Sequence, residues 1–198
     1  NVPNPTPHAA ELDVYEVYNN LYGTGFTDNL DLDVMRIPDL QVFTLALGSN
    51  LYVEAQARYA STVSEFGYYT PAGAPSDFNA LFSVTTIGDV SNDGFNAVIS
   101  TTDPFGFYLD PAGASIWYSE QALNFLGEDH MVAYSVAGDP NVILLAWEDL
   151  PLPQLPQPEN VASLVAPLQG PAPDGDYNDL IVELRIREIV PEPASVLL

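Results

Sequence analysis

Between Leu51 and Tyr59 the chain alternates: Val53, Ala55, Ala57 and Tyr59 are interleaved with Glu54, Gln56 and Arg58. A period of two sends successive side chains to opposite faces, which is the signature of a half-buried strand. Shorter runs of the same character predict strands at 41–47, 80–87, 95–101, 105–109, 114–118, 131–137, 142–148 and 179–188. Turn formers separate them, such as Gly48-Ser49-Asn50, Asn92-Asp93-Gly94 and Gly138-Asp139-Pro140. Many short strands at this spacing predict an all-β fold, an antiparallel β-sandwich or jelly roll. One segment changes period. Leu12, Tyr15, Val17, Tyr18, Leu21 and Tyr22 recur at roughly helical spacing and Gly23 follows as a C-terminal cap, which predicts one short helix.

Proline marks the organisation around this domain. Pro3, Pro5 and Pro7 fix an extended arm over residues 1–10. Seven prolines fall between Pro151 and Pro173 around the apolar run Val161–Ala166, so 151–173 reads as an insertion folded onto its own sheet or as an arm that docks on a neighbouring molecule. The single sandwich domain is then 11–189. No run approaches the roughly 20 apolar residues of a spanning helix, so no membrane span is expected.

Charge narrows the partners. Twenty-seven Asp and Glu face four cations, Arg36, Arg58, Arg185 and Arg187, for a formal net charge of −23. Nucleic acid and anionic membrane surfaces are therefore poor partners, and no nucleic-acid binding is expected. The absence of Cys removes disulfides, thiolate metal sites and cysteine nucleophiles, and His8 and His130 are the only imidazoles. Small secreted domains are commonly stapled by disulfides; bound cations are the substitute this composition offers.

The densest acidic stretch is Asp174-Gly175-Asp176-Tyr177-Asn178-Asp179, leading directly into an apolar strand. Alternating oxygen donors on a tight loop can converge on one hard cation, and Ca2+ fits such a set better than Mg2+, which demands a stricter octahedron. The loop is not an EF-hand, because Asp179 stands where that motif has Gly and Arg185 where it has Glu. Further ligands must come from elsewhere. Glu148 and Asp149 end the strand Val142–Trp147, and antiparallel pairing with 179–188 would bring them beside the loop. Asp28, Asp31 and Asp33, with Asn29, form a second candidate, in which Asp31 and Asp33 share a face if Leu30, Leu32 and Val34 turn inward. Asp89, Asn92 and Asp93, with Asn96, form a third, for which an ordinary turn is the competing explanation.

No residue spacing selects a catalytic pair. Glu65 beside Phe66 and Glu120 after Tyr118 are the carboxylates that a glycosidase reading would nominate, and His130 reads as a structural histidine at a strand start rather than a general base. Trp117-Tyr118, Tyr68-Tyr69 and Tyr22 are candidates for stacking on sugar, although strand faces and cores use the same residues.

Two features resemble known families. Val190-Pro191-Glu192-Pro193-Ala194 resembles the start of a PEP-CTERM sorting signal, which an exosortase processes in bacteria with an outer membrane. Only Ser195 to Leu198 follow, so 190–198 is expected to be a remnant of that signal. In addition, Phe105-Gly106-Phe107-Tyr108-Leu109, Trp117-Tyr118-Ser119, Leu123-Asn124, Asp129-His130, Trp147-Glu148-Asp149-Leu150 and Asp174 to Leu180 are similar, in that order, to a secreted bacterial domain family of unknown function. The resemblance implies an extracellular β-sandwich with calcium associated with Glu148, Asp149, Asp174, Asp176, Asn178 and Asp179. In that family a short glycine-rich loop joins the last two motifs; here the proline-rich 151–173 intervenes.

The expectation for function is a non-catalytic, extracellular or cell-surface calcium-binding protein, self-associating into a filament or biofilm matrix by strand or arm exchange. A carbohydrate-binding module for exopolysaccharide and a polysaccharide-active enzyme are the alternatives.

Overall fold

The computed structural model describes residues 11–60, 63–111, 115–149 and 177–188. The arms at 1–10 and 190–198, the insertion at 151–173, and the candidate ligands Asp174 and Asp176 lie outside them. In chain order the elements are α1 (Val14–Tyr22), α2 (Asn29–Leu32), β1 (Ser49–Arg58), β2 (Ser64–Thr70), β3 (Asp77–Val84), β4 (Gly88–Asp89), β5 (Asn96–Ile99), β6 (Gly106–Pro111), β7 (Trp117–Tyr118), β8 (Met131–Val136), β9 (Asp139–Trp147) and β10 (Leu180–Glu188).

The strands form two antiparallel sheets, as the alternation predicts. The larger runs β4-β1-β10-β9-β8, with β5 sharing the outer side of β1; the smaller runs β3-β2-β6-β7. Between them lies an aromatic-rich core in which Phe66 stacks on Phe107 with ring centroids 5.2 Å apart and meets Trp147 edge-on at 5.8 Å. Burial on this scale is the main favourable term in folding.

A second apolar cluster lies on the opposite face of the larger sheet. There α1 presents Val14, Val17 and Tyr18, at helical i, i+3, i+4 spacing, to Val132, Tyr134, Leu144, Ala146 and Ile181. The helix starts where Glu16 accepts from the Asp13 N–H at 2.9 Å and stops at Gly23, whose φ of 66° is left-handed. The sandwich is thus covered on part of one outer face by a helix.

Three expected strands are corrected. Segment 41–47 contributes only a bridge from Phe43 to Phe105; its apolar Phe43 and Leu45 plug the core without joining a sheet. The strand expected at 80–87 lies earlier, at 77–84, and that expected at 114–118 narrows to Trp117–Tyr118 among the described residues. Strand β2 was not expected, because Phe66, Gly67, Tyr68 and Tyr69 break the alternation; both faces of this strand are covered.

Candidate metal centre

Three strand ends meet at one corner of the larger sheet. Because β10 runs antiparallel to both neighbours, its first residue Leu180 is opposite Arg58 at the end of β1 and Trp147 at the end of β9. The next residues outward are therefore Tyr59, Glu148 and Asp179, and the Tyr59 N–H donates to the Asp179 carbonyl at 3.2 Å. The antiparallel pairing considered for Val142–Trp147 and 179–188 is present, and it brings Glu148 and Asp149 beside Asp179.

Carboxylate oxygens of Glu148, Asp149 and Asp179 lie within 4.8 Å of one another, and this is the one such group of three or more acid or imidazole side chains among the described residues. Glu148 is fully buried and Asp149 nearly so. Burial first, then the neighbouring Asp149 and Glu148, push the Asp179 carboxyl up to about 9. With no cation present the cluster therefore retains a proton at neutral pH, shared by a hydrogen bond between the Asp179 and Glu148 side chains.

The main chain of Glu148 and Asp149 is held at each polar atom. The Glu148 N–H donates to the His130 carbonyl at 3.1 Å, and the Asp149 N–H donates to Asp179 Oδ2 at 2.7 Å. His130 Nδ1 lies 3.0 Å from the Glu148 carbonyl, an obligate acceptor, so Nδ1 carries the proton. Trp117 Nε1 donates to the Asp149 carbonyl at 2.8 Å. His130 is completely buried, with Nε2 3.3 Å from Glu128 Oε2, and desolvation holds its pKa below the usual histidine value. Its place is structural, at the start of β8.

Arg58 supplies a buried positive charge that interacts with Asp149 and Asp179. It is 2% exposed, its Nη1 donates to the Thr86 carbonyl at 3.3 Å, and its Nε has no hydrogen-bond partner among the described residues. Burial lowers its pKa, opposed by the attraction of Asp149 and Asp179. One guanidinium does not neutralise three carboxylates. The donor set, all oxygen and deficient in positive charge, fits a hard cation such as Ca2+; protonation of Asp179 is the alternative way to discharge it.

The other candidate ligands among the described residues are engaged elsewhere. Asn178 is buried but uses its amide to donate to the Leu12 carbonyl at 3.2 Å, tying the pre-helix segment to this corner. Asp28 caps α2 by accepting from the Asp31 N–H at 2.8 Å. Asp31 accepts from Thr27 through both N–H and hydroxyl, which lowers its pKa, and Asp33 opens a 3-10 turn, Asp33–Met35. The shared face required Leu30 and Val34 to point inward; in the helical backbone they are 79% and 77% exposed while Leu32 is buried. Asp89 closes an Asx turn on Ser91, accepting from its N–H at 3.0 Å and its hydroxyl at 2.7 Å, with Asn92 and Asp93 in the turn that follows.

Both nominated carboxylates and one nominated aromatic are engaged within the fold. Glu65 accepts from the Tyr108 hydroxyl, and Glu120 from the Tyr69 hydroxyl and the Gly73 N–H. Trp117 is 3% exposed and offers no platform to a sugar; it belongs to the core, as strand-face aromatics commonly do. Arg58 and the Trp117–His130 support were not singled out from the sequence; the placement of Arg58 at the last position of a strand that ends beside the acids is the signal that would have found it. No protein-family model matches the chain, and no curated protein matches it.

Proposed function

We propose that the chain is a non-catalytic, extracellular calcium-binding structural protein that self-associates at the cell surface into a filament or matrix. The convergence of Glu148, Asp149 and Asp179 carries this reading: a cation placed among them discharges a buried cluster that otherwise has to retain a proton. Calcium at about 100-fold over its Kd would stabilise the fold by roughly 2.7 kcal/mol, the role disulfides fill in other small secreted domains. The net charge of −23 supports a requirement for cations before copies can approach one another. The Pro191-Glu192-Pro193 motif supports a surface location.

Self-association draws support from β3. It is an eight-residue edge strand paired with β2 alone among the described residues, with Asp77 as its only charge and no proline. Edges poor in charge and lacking proline accept an added strand. Sedimentation and electron microscopy of the full chain in calcium and in chelator test the proposal. Calcium-dependent polymers that are lost in Asp179→Asn and in Ala80→Lys are expected; monomers in both conditions would refute assembly.

A further inference from the structure

The outer face of the larger sheet is divided. Along β10 the outward positions run from Ile181, buried under α1, through Glu183 and Arg185 to exposed Arg187. Past the C-terminal end of the helix, whose Tyr22 borders it through Glu183, this face forms an open groove of about 250 Å3 whose lining includes Tyr52, Glu54, Asn96, Glu183, Arg185 and Arg187. Register sets Tyr52 opposite Arg185, and Glu54 opposite both Glu183 and Asn96.

Acids outnumber arginines 27 to 4 in this chain, so a carboxylate partner is easily supplied. Three arginines have one. Arg36 lies 3.7 Å from Asp129, Arg185 lies 2.8 Å from Glu183 and 3.4 Å from Asp139, and Arg58 feels Asp149 and Asp179. Arg187 makes no ion pair among the described residues; its guanidinium instead lies over the Tyr52 ring, 4.8 Å from the centroid. That contact orients the planar fork of an exposed side chain whose donors make no hydrogen bond among the described residues, an arrangement suited to bidentate capture of a carboxylate. Beside it, Glu54 and Asn96 offer acceptors for hydroxyl hydrogens. Glu183 is fixed by the Tyr22 hydroxyl at 2.8 Å and by Arg185. The carboxylates of the floor repel a densely charged polyanion but accept from a polyol.

We infer that this groove binds a singly charged acidic sugar, a uronic-acid unit whose carboxylate pairs with Arg187 and whose hydroxyls donate to Glu54 and Asn96. The site shares no residue with the acidic triad, so it stands or falls independently of calcium binding. The test is a titration of the full chain, in calcium and again in chelator, with methyl glucuronide, methyl glucoside and acetate, followed by saturation-transfer and amide-shift NMR. The glucuronide should bind with a Kd on the order of millimolar, at least tenfold tighter than the glucoside or acetate. Arg187→Gln should remove that preference without changing Tm, and Tyr52→Leu, which takes away the ring beneath the guanidinium, should weaken it. Absence of glucuronide binding, equal binding of glucoside or acetate, or unchanged binding in Arg187→Gln would each overturn the assignment.

Discussion

Trp117 lies flat against His130, with ring centroids 3.8 Å apart and planes 10° from parallel, and the two rings bond consecutive carbonyls of one dipeptide, His130 that of Glu148 and Trp117 that of Asp149. A stacked pair thereby positions two buried acids from behind, leaving their carboxylates to face Asp179. Trp117→Phe keeps most of the stacking area but removes the indole donor. We expect a loss of about 1–3 kcal/mol, the cost of leaving a buried carbonyl without its partner, read as a lower thermal midpoint, together with weaker calcium binding. Unchanged stability and affinity would show that the carbonyl is satisfied in some other way.

The pH dependence of stability in chelator follows from Asp179. Its carboxyl titrates near 3.8 when unfolded and near 9 when folded. Between those values the folded chain holds a proton that the unfolded chain has released, so this group's contribution is fully present below about pH 4 and is lost as pH rises through about 9. Differential scanning calorimetry in chelator should therefore find the midpoint falling across this window. In calcium the ion replaces the proton and the slope should flatten; the same slope in both conditions would place the ion elsewhere.

Arg58 is the fixed counter-charge of this corner. Removing one partner from a buried set of charges costs about 3–5 kcal/mol, so Arg58→Met should destabilise the chelated protein by that order in denaturant titrations. Calcium should restore more of the loss than it adds to the parent. A variant as stable as the parent in chelator would show that the guanidinium does not offset the acids.

Helical register at 28–35 makes a contrast that a strand would not. Leu32→Ala empties a buried site and should cost about 2–5 kcal/mol. Leu30→Ser and Val34→Ser change exposed positions and should fall within about 0.5 kcal/mol of the parent. Urea unfolding of the three variants separates the cases, and comparable losses would contradict the register.

The legibility of the sequence follows the same lines. Alternation over 51–59 and the apolar runs at 142–147 and 180–186 identify β1, β9 and β10, which are the three strands that build the site, and the acids at their ends identify Glu148, Asp149 and Asp179. Other features need three dimensions. Leu30, Leu32 and Val34 alternate as a strand does, but the Asp28 cap and the Thr27–Asp31 contacts turn the segment into a helix, and local capping there outweighs the pattern. Trp117 reads as core, with a sugar platform as the alternative; its burial, with His130 stacked against it, places it in the core. The coverage of one sheet face by α1, which leaves Arg187 in the open groove, depends on how non-adjacent segments pack and has no local signal.

The most direct test is an isothermal titration of calcium into the full chain at neutral pH, beside Glu148→Gln and Asp179→Asn. The account predicts calcium binding by the parent with release of protons, and at least tenfold weaker binding in both variants. A parent that takes up no calcium, or variants that bind it as tightly as the parent, would contradict it.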